Sequence, residues 1–311
     1  MINTPADEPK KEQTWMHPAL QFLTFCGITI FAVAIGYFVG AGIIWALYGS
    51  APIMAIAQSD LTAPHASNAL WILQIASTTL PLFVAPVFFA YVIVKDPQDY
   101  IKPSFHFPIA LVVLVFCIMF ISSPLIEFLS NLNEKMVLPS FLKWMRESED
   151  SAQKLTAILL KMNTVWDLVF NVLMVGLLTA IVEEFMFRGV IQTIFMRWTK
   201  NTHAAVWITA ILFSAFHMEF FGFLPRLLLG AFFGYFVAWS GSIWPAVWAH
   251  FINNGTAVVV TYLYQQKKTT INPDDQHVFN NKLYIFSLLI VLFLMFVYRY
   301  ITLNKPQPQE N

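Results

Sequence analysis

Between residues 180 and 189 the chain reads AIVEEFMFRG, two adjacent carboxylates and an arginine at the edge of a long apolar run. On a helix, Glu184 and Arg188 lie one turn apart and can pair. Glu183 is rotated by about 100° from its neighbour, so it need not share that arginine. The spacing predicts a division of labour, with Glu184 held by Arg188 and Glu183 free to act as a base. The plain alternative is an ion pair that caps the end of a span. Two further groups follow. Phe213 and His217 sit in ILFSAFH, with Ser214 nearby and Glu219 two residues beyond. His250 and Asn254, in WPAVWAHFINNG, are four residues apart and share a helix face. Asn253 falls on another face, and Ala246, Ala249 and Gly255 would let a neighbouring helix approach closely.

These types form an inventory that hydrolysis can use. A glutamate takes a proton from water, and a histidine shares that proton or holds the water in line. A second histidine and an asparagine amide stabilise the oxyanion that develops on an attacked carbonyl. No G-x-S-x-G is present, and neither Cys26 nor Cys117 has a histidine at nearby spacing, so nothing resembles a serine or cysteine triad. Both cysteines lie inside apolar runs and read as buried structural thiols, without the number or spacing of a disulfide framework.

The elements that must position these groups are membrane helices. The 311 residues are 58% hydrophobic, only 12% charged, and have a mean hydropathy of +0.62. Soluble domains carry about 25% charged residues, so the chain is a polytopic membrane protein. Its zero formal net charge argues against a nucleic-acid partner. A spanning helix needs about 20 mostly apolar residues. On that basis spans fall at about 20–48, 69–94, 107–129, 165–186, 204–218, 223–240, 243–264 and 283–303. The expected fold is all-α, a transmembrane bundle of about eight spans with the active site between the later helices.

Residues 1–19 form a polar tail, 20–130 hold the first three spans, and 164–264 form the core that bears the motifs. The last span and a polar tail occupy 265–311. Segment 131–163 mixes charge with apolar residues at helical spacing and reads as an amphipathic interfacial helix or a small folded loop. The first apolar run is too long for the core of a cleaved signal peptide. The loop GSAPIMAIAQSDLTAPHASN lacks Lys and Arg and belongs outside, which puts the N-terminus in the cytoplasm. Trp239, Trp244 and Trp248 suggest an interfacial belt.

EExxxR, then FxxxH, then HxxxN, on successive helices in this order, resembles the CPBP family, which comprises CAAX prenyl endoprotease type II and its bacteriocin-processing (ABI) relatives. The motifs read EEFMFR, FSAFH and HFINN, and the resemblance covers about residues 165–264. It implies an intramembrane endopeptidase that cuts a membrane-associated protein or peptide in the lipid bilayer. It implies that Glu183 and His217 activate water and that His250 and Asn254 form the oxyanion site. Glu184 and Arg188 would position the first motif, with Phe213 in support.

Members of that family are often described as metalloproteases, and Glu183, His217 and His250 are a plausible zinc set. The H-E-x-x-H pattern is absent, and the three stand on separate helices. A metal-free site is the expectation and zinc the alternative. Two rival functions use the same residues. A proton-coupled carrier would relay protons through the buried Glu and His groups, but it would prefer polar sites in matched halves. A non-catalytic scaffold or immunity protein would keep the helices without turnover. The expected location is the cell membrane.

Overall fold

The computed structural model describes residues 16–304 except 59, 61, 138 and 274–277. Most of the polar N-terminal tail, with Lys10 and Lys11, and the tail from 305 onward lie outside the described residues. Among the described residues the chain is all helical, with no strand. We number the helices α1 (Pro18–Tyr48), α2 (Ala51–Ala57), α3 (Ala66–Ile93), α4 (Pro97–Tyr100), α5 (Ala110–Ile121) and α6 (Ser123–Glu134). The second half holds α7 (Lys143–Leu159), α8 (Val165–Thr199), α9 (Thr202–Phe216), α10 (Phe223–Ser240), α11 (Trp244–Gln265) and α12 (Asn281–Leu303).

All eight apolar runs are helical, but five are long and apolar enough to cross a membrane, or six if α5 and α6 count as one span bent by 41°. Pro124, in the first turn of α6, explains that bend. The expected count of about eight is therefore approximate. Helix α9 has 15 residues, about 22 Å at 1.5 Å per residue, short of the roughly 30 Å hydrocarbon core. Helix α11 has 22 residues, but His250, Asn253 and Asn254 dilute its apolar character.

The expected span 165–186 is also too short. Helix α8 runs for 35 residues to Thr199, so Glu183 and Glu184 stand near its middle. A run of polar side chains ends apolarity, not helicity. Here Arg188 and Gln192 are buried and bonded to carbonyls of α10, so the helix continues through them. Two wide π-turns relieve its ladder, at Val172–Leu178 and Phe185–Ile191. Such turns recur at functional sites, and the second begins one residue after Glu184.

Segment 131–163 ends α6, makes a single tight turn at Ser140–Leu142, and forms α7 over 17 residues. Gly255 of α11 faces Gly176 of α8, where an added Cβ would sit 3.4 Å from the Gly255 backbone. The helices that bear the first and third motifs thus cross closely. Trp244 and Trp248 each donate an indole N–H to a backbone carbonyl, of Pro103 and Val112. They tie α11 to residues 101–104 and to α5 and are half-buried. Cys26 and Cys117 are unpaired thiols, half-buried instead of buried.

Candidate active site

Glu184 and Arg188 are both fully buried, with Arg188 Nη1 2.8 Å from Glu184 Oε1. An interfacial ion pair would be exposed, so the capping alternative fails. Arg188 Nη2 donates to the Gly230 carbonyl at 3.0 Å. Its guanidinium lies over the ring of Phe213, 4.3 Å from the centroid, with the Phe233 ring at 5.1 Å. Burying a charge without such partners is costly. Phe213 therefore serves as one wall of the box around the arginine, and its ring also packs edge-on to His217 and His250.

The same Glu184 oxygen accepts from His250 Nδ1 at 2.8 Å. A carboxylate accepts and does not donate, so that nitrogen bears a proton, and His250 Nε2 faces Glu183, 3.8 Å away. His217 caps the C-terminus of α9 rather than lying inside it. Its Nδ1 donates to the Phe213 carbonyl at 2.8 Å, which leaves its Nε2 facing Glu183 at 4.0 Å. Glu183 is buried, and among the described residues its Oε2 has no hydrogen-bond partner. A buried carboxylate oxygen left open between two imidazole nitrogens is costly, and such groups call for a functional explanation.

Glu183, His217, His250 and Asn254 line one cavity of about 420 Å³. Asn254 donates to the Val175 carbonyl at 3.3 Å and accepts from Asn253 at 3.1 Å, which leaves one amide hydrogen for the cavity. Ser214 is bonded to the Phe223 carbonyl and Glu219 to Arg226, so neither joins the group. Trp71, Gln74 and Ile75 of α3, and Thr156 and Leu159 of α7, complete the walls. The sequence held no signal for these, because they lie far from the motifs and have ordinary types.

The donor set of Glu183, His217 and His250 suits zinc by type. Two ligands about 2.0–2.1 Å from a tetrahedral ion stand roughly 3.3 Å apart, and the separations here are 3.8 and 4.0 Å. Among the described residues no group of three His, Cys, Asp or Glu is placed to hold a metal. As placed, the three donors stand wider apart than the ligands of a bound zinc ion.

A strap over residues 95–106, including α4, ties the C-terminal part of α8 to the head of α11. Arg197 of α8 pairs with Asp96 at 2.9 Å and Asp99 at 2.5 Å. Lys102 donates to Thr193 at 2.5 Å, while its carbonyl accepts from Ile243 at the head of α11. Burial pushes the Lys102 amine down to about 8, with Asp99 opposing.

The fold and this constellation define an integral membrane protein of several helices with a buried glutamate and histidine centre. Residues 165–256 match the family model described as Type II CAAX prenyl endopeptidase Rce1-like. The matched segment runs from the start of α8 into α11 and includes every residue of the three motifs. The match covers the segment that bears the motifs and agrees with the CPBP resemblance of the sequence. No curated protein and no solved structure matches the chain.

Proposed function

We propose that the protein is an intramembrane endopeptidase in which Glu183 and His217 activate water, and His250 and Asn254 stabilise the oxyanion, without a metal. The observation that supports this best is the unpaired Glu183 oxygen 3.8 and 4.0 Å from two imidazole nitrogens. A water that donates at about 2.8 Å to two acceptors, at about 105°, spans roughly 4.4 Å between them, close to the 4.0 Å here. That separation suits a water offering one proton to Glu183 and one to His217.

In the reaction, Glu183 takes one proton as the water oxygen attacks the carbonyl carbon. The carbonyl π electrons move onto oxygen, which accepts from the Asn254 amide and from His250 Nε2. His250 donates there with a proton on Nε2 that it keeps throughout, while Glu184 accepts from its Nδ1. When the tetrahedral centre collapses, the C–N bond breaks and Glu183 returns its proton to the departing amine. Arg188 holds Glu184 in place and touches no reacting atom. The substrate is a membrane-associated protein or peptide. The chain sits in the cell membrane with its N-terminus in the cytoplasm, which the Lys- and Arg-free 49–68 loop supports.

The test compares terminal peptides of the membrane proteome in cells that express wild type or Glu183→Gln. New protein ends in wild type alone are expected. No difference at equal expression overturns the reading. On a substrate so found, chelators leave turnover intact; loss that zinc restores overturns the metal-free part.

A further inference from the structure

His217 is the one member of the group that does not lie inside a helix. It closes α9, and the next residue, Met218, has φ +55°, a left-handed conformation that side chains rarely adopt. Its distance from Glu183 therefore depends on the turn that follows, residues 218–224. Two buried side chains from earlier in the chain hold that turn. Asn133, fully buried at the end of α6, donates to the Phe220 carbonyl at 2.8 Å and accepts from the Leu224 N–H at 2.7 Å. Glu149, 6% exposed and the one buried residue described in α7, accepts from the Phe221 N–H at 3.0 Å. Arg146, one turn earlier, stacks on the Phe221 ring at 3.8 Å.

We infer that Asn133 and Glu149 are positioning residues for His217, and that α7 aligns His217 by docking on the 218–224 turn. The inference rests on the reading of Glu183 and His217 as the pair that activates water. Helix α7 touches both parties. Thr156 and Leu159, near its C-terminal end, line the catalytic cavity, while Glu149, in its middle, holds the turn. A substrate pressing on the first therefore reaches the second through one rigid helix. Small misplacements of a catalytic group cost as much as about a hundredfold in rate, so the four bonds and contacts at this turn matter for kcat more than for binding.

The variants are Asn133→Ala, Glu149→Ala and Glu149→Gln, measured in liposomes with a quenched fluorescent peptide built on the cleavage site found above. Removing either hold lowers kcat about 10- to 100-fold with KM within about twofold, because the affected group activates water. Glu149→Gln stays within about threefold of wild type, since its amide oxygen still accepts from Phe221. Amide exchange by mass spectrometry gives a second readout that needs no substrate. Exchange in 218–224 rises in both alanine variants and not in Glu149→Gln, while the segment around Glu183 is unchanged. Unchanged exchange, or alanine variants with wild-type kcat while Glu183→Gln is inactive, overturns this inference alone. Full turnover by Glu183→Gln instead overturns the underlying site reading.

Discussion

Replacing Arg188 by Met tests the buried network directly. Arg188 and Glu184 are both 0% exposed, joined at 2.8 Å, and the arginine also holds the Gly230 carbonyl at 3.0 Å. Methionine keeps much of the bulk between Phe213 and Phe233 but removes the charge. Glu184 then keeps only His250 as partner, and the Gly230 carbonyl loses its side-chain donor. Breaking a buried pair by removing one member costs about 3–5 kcal/mol, or two to nearly four decades in the unfolding constant at about 1.4 kcal/mol per decade. Adding Glu184→Gln removes the stranded charge and still accepts from His250 Nδ1. The double variant should recover about 1–3 kcal/mol relative to the single, the coupling expected of contacting groups. Its turnover should stay low, because a neutral glutamine no longer offers His250 Nδ1 a charged acceptor. Unfolding in detergent, followed by helicity against denaturant, measures the first effect and peptide cleavage the second. A loss below about 1 kcal/mol for Arg188→Met, or a double variant less stable than the sum of the singles, would refute this reasoning.

Gly189→Ala should destabilise by about 1–3 kcal/mol, the usual range for overpacking. Its Cβ would meet the Tyr100 carbonyl oxygen at 2.7 Å, a backbone atom that yields less cheaply than the end of a side chain. Gly42→Ala, with nothing within 4 Å, should be neutral or stabilising, and parallel thermal unfolding compares the two. Lys102 releases its proton near pH 8 in the folded protein, against about 10.4 unfolded. Between those values the unfolded chain binds more protons, so stability rises with pH across that window. The rise should vanish in Lys102→Met, and equal pH dependence in the two proteins would show that the amine is not perturbed.

The pairing of Glu184 with Arg188 was legible because it is short-range. Four residues on a helix bring two side chains together whatever else the chain does, and the same rotation frees Glu183. The helical class was legible for an equally local reason, since apolar runs of this length must satisfy their own backbone in lipid. The end of α8 was not. Reading polarity as a boundary at residue 186 missed 13 further helical residues, because burial of Arg188 and Gln192 against α10 is a fact of packing.

Tertiary structure alone decided which face of each imidazole looks at Glu183. His217 gives its Nδ1 proton to a carbonyl of its own helix and His250 to a carboxylate of another. Only together do these choices turn two Nε2 atoms toward one carboxylate oxygen. The same holds for Asn133, Glu149 and the 95–106 strap, ordinary residues in sequence until the chain brings them against the turn and the helix ends. Spacing along a helix specifies which side chains share a face, whereas the partner of that face is set by contacts between segments distant in the chain.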